Sequence, residues 1–321
     1  MRAALYRDMG EAAEVFQIEE VDRPKPGPGE VLVRVHASGV NPTDYKARSG
    51  AVPRPIDGFQ VPHQDGAGVI EAVGAGVDPA RVGERVWLWM AAVGHCWGTA
   101  AEWTVLPARQ AVALPDGVSF ELGASLGVPA MTAHVCLFSD GPVNGQVVLV
   151  AGGAGAVGHY AIELAKRAGA RVISTVSSPE KAALAERAGA DLVVNYHDQD
   201  AAEQIKTLGP VDRVIEVALG ANFGLDLAVT RPHGTVVTYA AEPVNPELPV
   251  RACMTANLTL KFVLLYGVPM EALDQAAADI TAALVAGELT GLPVHTFGLA
   301  EIAAAHEAAE GGAVGKVIVT P

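Results

Sequence analysis

Gly153, Gly155 and Gly158 match G-x-G-x-x-G, a spacing that can hold a dinucleotide pyrophosphate. In a chain with 35 glycines the match alone means little, but its setting makes it specific. Val147, Val148, Leu149 and Val150 precede it, an apolar run that reads as a strand buried on both faces. Val157, Tyr160, Ala161, Leu164, Ala165 and Ala168 follow at helical spacing, and Gly169 stops the helix. Glycine suits the tight turn and the close approach of backbone to phosphate, and a side chain at the third glycine would push helix off strand. The helix N-terminus then offers unpaired N–H groups and a partial positive charge.

The end of the next strand, residues 171–176, decides which dinucleotide. An NAD site places Asp or Glu there for the ribose 2′-hydroxyl. This chain reads Val176, Ser177, Ser178, with Lys181 one turn into the following helix. Two hydroxyls and an ammonium suit a 2′-phosphate, so NADPH (NADP+) is the expected cofactor. Ser178 and Pro179 also read as N-cap and N1 of that helix.

A chain of 321 residues implies two domains, and half the residues are apolar, enough for two cores. A net charge of −14 argues against nucleic acid or an anionic membrane as partner. Cys96, Cys136 and Cys253 form no C-x-x-C, no segment has the apolar length to span a bilayer, and the N-terminal stretch lacks a signal-peptide core. A cytoplasmic protein is expected. The first third reads as short strands between Gly/Pro turns. From about 120 to 268 helix alternates with strand, the strands falling at 147–151, 171–176, 191–194, 213–217, 234–240 and 258–266, a doubly wound parallel sheet. The tail reads as a helix over 270–286, a strand near 292–297, a helix over 299–310 and a strand over 316–320. The expected division is 1–123, 124–268 and 269–321, the last segment returning to the first domain, with substrate in the cleft between domains.

These segments resemble the medium-chain dehydrogenase/reductase superfamily, in its zinc-independent quinone oxidoreductase (zeta-crystallin-like) branch. Residues 39–50, 65–74, 82–86 and 127–133, the glycine loop, and the closing Gly315–Lys316 carry the resemblance across essentially the whole chain. It implies a Rossmann doubly wound parallel sheet plus a GroES-like β-rich catalytic domain. Zinc-dependent relatives bind catalytic zinc through Cys, a Gly-His-Glu and a second Cys. Here residues 41–44 contain no cysteine, Gln64 stands at the histidine position, and Val128 at the second cysteine. No metal is expected.

The resemblance also assigns sites. Ala154, Gly155, Ala156 and Val157 are similar to the pyrophosphate loop, and Ser177, Lys181 and Tyr196 to the 2′-phosphate site. Thr132 sits where the family's junction helix meets the cofactor; Tyr239, Ala240, Ala241, Leu264, Leu265 and Tyr266 take the place of the nicotinamide wall. Asn41, Tyr45 and Lys46 are the catalytic candidates. Typical quinone oxidoreductases carry a tyrosine where this chain has Lys46, and the variant resembles enone and alkenal reductases. The ammonium could stabilise an enolate or quinol oxyanion. Asp44 is read as orienting the loop, and Trp87, Trp89, Trp97 and Phe59 equally as core or as substrate platform.

The expected activity is NADPH-dependent, metal-independent hydride transfer to a quinone or an α,β-unsaturated carbonyl. The alternatives are an enoyl-thioester reductase and a low-turnover NADPH-binding structural or regulatory protein. A homodimer through the apolar 258–266 strand is expected, since its edge would otherwise stay unpaired.

Overall fold

Val147 to Ala151 are all buried, as a strand covered on both faces demands. The structure, a computed structural model, describes residues 1–241 and 245–321. In it this strand lies inside a six-stranded sheet, in the order Leu192–Asn195, Arg171–Val176, Val147–Ala151, Val211–Glu216, Thr230–Thr238, Thr259–Phe262. Every pairing is parallel. The order reverses beside Val147–Ala151, so the crevice of a doubly wound sheet opens at the carboxyl end of that strand.

The last strand is shorter than its composition suggests. Val263 N–H still reaches the Thr238 carbonyl, but the neighbouring strand ends at Thr238 and offers no further partner. The chain then turns through Leu265–Gly267. The expected strand over 258–266 is therefore four residues, Thr259–Phe262.

The chain divides into two units, Met1–Val128 with Pro293–Pro321, and Pro129–Leu292. The second thus runs past the expected boundary at 268. The reason is the helix Met270–Val285, which buries Leu273, Ala276, Ile280 and Leu284 within this unit. Asp279 on that helix meets His134 (2.8 Å), and Thr290 donates its N–H to Glu163 (3.0 Å).

In the first unit a seven-stranded sheet is built around Glu30–Gly39, which pairs antiparallel with Asp65–Val73, Trp103–Pro107 and Lys316–Thr320. Trp87 and Trp89 are fully buried and belong to this core; Phe59 and Trp97 pack edge to face at 5.2 Å. One helix, Pro42–Ser49, was not assigned from the sequence, yet its signals are present. Asn41 is extended at the N-cap, Pro42 stands at N1, and Gly50 ends the helix at φ 84°.

Candidate active site

The glycine loop is shaped by what surrounds it. A Cβ on Gly153 would lie 2.0 Å from Ser174 Oγ, and one on Gly158 would lie 2.3 Å from the Gly152 carbonyl oxygen. Backbone must stand where any side chain would. Gly152 turns the chain at φ 69°, and the N–H groups of Gly152 and Gly153 are both tied to the Thr175 carbonyl. The helix Ala156–Arg167 starts at Gly155, which is exposed at its N-cap. The N–H groups of its first turn suit a pyrophosphate. Ala154 is buried and Ala156 and Val157 half-buried, so what this loop presents is chiefly backbone.

Ser177, Lys181 and Tyr196 gather at the end of the neighbouring strands. Ser178 Oγ accepts the Lys181 N–H as N-cap, leaving the Lys181 ammonium to donate to Ser177 Oγ at 3.0 Å. Tyr196 N–H donates to the Val176 carbonyl, which brings Tyr196, 41 % exposed, beside Ser177. A hydroxyl, an ammonium and a phenol with no carboxylate among them are a donor set suited to a phosphate.

The remaining nucleotide-side candidates divide. Tyr239 and Ala240 follow the strand Thr230–Thr238 and are half-buried, with Ala241 exposed beyond them. Leu264 is 68 % exposed and Tyr266 half-buried, but Leu265 turns into the core at 3 %. With Val263 buried before them, these residues keep the in–out alternation of extended chain up to the turn Leu265–Gly267. Thr132 is buried in the helix Gly127–Phe138.

In the first unit the helix Pro42–Ser49 presents Tyr45 and Lys46, both half-buried. Burial, then the carboxylate of Glu310, push the Tyr45 phenol up. Among the described residues the Lys46 ammonium has no hydrogen bond or ion pair. Asn41 behaves differently. It is 2 % exposed, its Nδ2 donates to Asp65 Oδ2 (2.7 Å), and its Oδ1 accepts from the Lys316 ammonium (2.7 Å). Its amide is spent inside the fold. Neither it nor Val128, whose N–H donates to Asp65 Oδ1, presents a metal ligand. Gln64, in the position of a ligand histidine, accepts the Ala92 N–H through Oε1 (3.1 Å).

Asp65 and Lys316, given no chemical role from the sequence, surround Asn41. Asp65 and Lys316 are buried with Asp44, whose Oδ2 accepts the Asn41 N–H (2.8 Å). Burial raises the Asp65 carboxyl and lowers the Lys316 ammonium, each opposed by the charge of the other. Asp44 also lines a small recess with Tyr6, Thr43, Arg54, His63 and Gln64. A sequence signal existed for Asp44: the Asn41-Pro-Thr-Asp44 spacing is that of a capping box.

Set against known proteins, residues 27–116 match the alcohol dehydrogenase GroES-like domain and residues 156–282 the zinc-binding dehydrogenase family. A quinone oxidoreductase of Sus scrofa is 32 % identical over 315 residues, covering 95 % of this chain and 94 % of the relative. A mycobacterial protein solved in complex with NADPH superposes with TM-score 0.86 at 32 % identity, and an Escherichia coli quinone oxidoreductase complexed with NADPH with TM-score 0.87 at 25 %. Both cover all of this chain and are covered in full.

Proposed function

The chain belongs to the quinone oxidoreductase branch of the medium-chain dehydrogenase/reductase superfamily, and on that premise we propose that it transfers hydride from NADPH to a quinone or an α,β-unsaturated carbonyl without a metal ion. The observation that carries the cofactor half is the Ser177–Lys181 pair at 3.0 Å, at a strand end that holds no carboxylate. The NADPH complexes of two close structural neighbours support it.

When bound, NADPH supplies the hydride. The chain supplies the rest. The glycine loop and its helix N-terminus hold the pyrophosphate, and Ser177, Lys181 and Tyr196 hold the 2′-phosphate. Lys46, half-buried and without a partner among the described residues, stabilises charge that develops on the acceptor oxygen. Tyr45 is a second donor on the same helix. Asn41, with its amide engaged by Asp65 and Lys316, acts by fixing the start of that helix rather than by touching substrate.

Lys46 favours the enone over the quinone as preferred acceptor, since an enolate needs charge stabilisation that an aromatic hydroquinone needs less. We also propose a homodimer at the sheet edge, where Thr259–Phe262 has no neighbouring strand on one side among the described residues, Phe262 is 70 % exposed and Leu264 68 %. NADPH oxidation against a panel of quinones, enones and enoyl thioesters at constant enzyme tests the reading. Turnover confined to enoyl thioesters, or absent with every acceptor, would replace it by one of the alternatives.

A further inference from the structure

Two carboxyl groups, Asp44 and Asp65, lie buried around the single ammonium of Lys316. Their surroundings are unequal. Asp65 accepts the Val128 N–H on one oxygen and Asn41 Nδ2 on the other, and Lys316 Nζ stands 3.6 Å away. Two hydrogen bonds and a counter-charge are the conditions under which a buried carboxylate stays ionised. Asp44 has one hydrogen bond among the described residues, from the Asn41 N–H. With Asp65 matched by Lys316, a second carboxylate would leave the buried pair and its ammonium one negative charge in excess, opposed from the recess wall by Arg54. The cluster is neutral when one proton stays in it, and Asp44 is the carboxyl least equipped to lose it.

Resting on the reductase reading above, we propose that Asp44 holds a transferable proton at the recess and delivers it, directly or through a water there, to the oxygen of the reduced acceptor. In that step the Asp44 O–H bond breaks and an O–H bond forms on the enolate or quinol oxygen. The hydride with its electron pair comes from the reduced nicotinamide, and the carboxylate takes its next proton from solvent. Asp44 is the residue that the sequence reading assigned to loop orientation, and its Oδ2 does serve that role. Its other oxygen is left for chemistry.

The charged and titratable groups that face Asp44 are Asp65, Lys316, Arg54, Tyr6 and His63. Burial, and then Asp65, push the Asp44 carboxyl up to about 7, opposed by the Asn41 N–H, Lys316 and Arg54. Burial lifts the Tyr6 phenol to about 12 and holds the His63 imidazole well below its ordinary value. Through the neutral range neither of these changes charge, whereas Asp44 does.

The test compares wild type, Asp44→Asn and Arg54→Met. Asparagine keeps an acceptor for the Asn41 N–H, so the fold and the NADPH dissociation constant should hold. In wild type kcat should fall about tenfold per pH unit above a break near neutrality. Asp44→Asn should lose that break and at least about tenfold in kcat at the low-pH plateau. Arg54→Met, which removes a positive charge that favours the carboxylate, should move the break to higher pH. Independently of turnover, infrared spectra of the protein alone should show a protonated-carboxyl stretch that disappears with the same midpoint and is missing in Asp44→Asn. Retention of the break by Asp44→Asn, or absence of the carboxyl band from wild type below neutrality, overturns the proposal. Loss of turnover with every acceptor in wild type, carboxyl band intact, instead overturns the reductase reading and takes only the delivery step with it.

Discussion

The Nε2 atoms of His63 and His306 lie 3.0 Å apart, fully buried, although 243 residues separate them in the chain. The hydrogen bonds around them dictate where each proton sits. Thr99 Oγ1 has the Asp65 carbonyl to donate to, so it accepts from Ser38 Oγ, which in turn accepts from His63 Nδ1–H. His63 Nε2 is then a lone pair and His306 Nε2–H donates to it. Both rings must be neutral, since a second proton on either would place two N–H groups, or a buried charge, without an acceptor. His63 adopts φ 78° to make this contact, a conformation that costs a non-glycine residue about 1–2 kcal/mol.

The first prediction is acid sensitivity. Burial holds His63 well below its ordinary value and His306 at about 3, against 6.5 for a free imidazole. At these two sites the unfolded chain therefore binds more protons than the native one below about pH 6.5, and the stability they contribute above that pH is lost as pH falls through it toward the folded values, while Asp44, raised to about 7, contributes in the opposite sense. Each imidazole contributes up to about 1.4 kcal/mol per pH unit. Between about pH 7 and about pH 5 the melting temperature of wild type should therefore change more unfavourably than that of His306→Gln, which lacks one of the two imidazoles. An equal slope in that variant would show that the pair does not govern it.

The second prediction concerns cofactor choice. Lys181→Ala should weaken NADPH binding by about 1–3 kcal/mol and leave NADH nearly untouched, because only the 2′-phosphate meets the ammonium. Titration calorimetry with both cofactors measures it, and equal dissociation constants in wild type would contradict it.

Lys46→Met keeps the stem and deletes the charge. If the ammonium stabilises the acceptor oxyanion, enone turnover should fall by 10²–10³, about 2.7–4 kcal/mol, with a smaller loss for quinones and little change in NADPH affinity. A change within about a factor of two for every acceptor would make Lys46 a bystander and leave catalysis to positioning.

A fourth expectation follows from Gln64 and Val128 at the positions where zinc enzymes carry ligands. Prolonged chelation should change neither turnover nor melting temperature. Stoichiometric zinc in fresh protein, lost together with activity, would contradict it.

The last prediction places the dimer. Light scattering should give twice the 33.1 kDa of the chain, and Phe262→Lys, a charge on the sheet edge, should shift it toward monomer. A wild-type monomer at micromolar concentration would remove the proposal.

The sequence by itself determined whatever depends on neighbours along the chain. Strand, glycine turn and helix around residue 153 are local, so period and turn chemistry reveal them, and the glycines can be read because only backbone fits there. Ser178 as N-cap and Lys181 one turn on are local for the same reason. Even the missed helix Pro42–Ser49 carried its own capping signals.

Tertiary structure decided the rest, because it alone brings distant residues into one low-dielectric space. Where the last sheet strand stops depends on where its neighbour ends, at Thr238. That helix Met270–Val285 stays with the second unit depends on partners such as His134, far away in the chain. Asn41 looked like a substrate contact until Asp65 and Lys316, the latter 275 residues on, took up its amide. The same burial separates Asp44 from Asp65, two aspartates with equal intrinsic acidity. One is given hydrogen bonds and a counter-ion, and the other a recess and a proton.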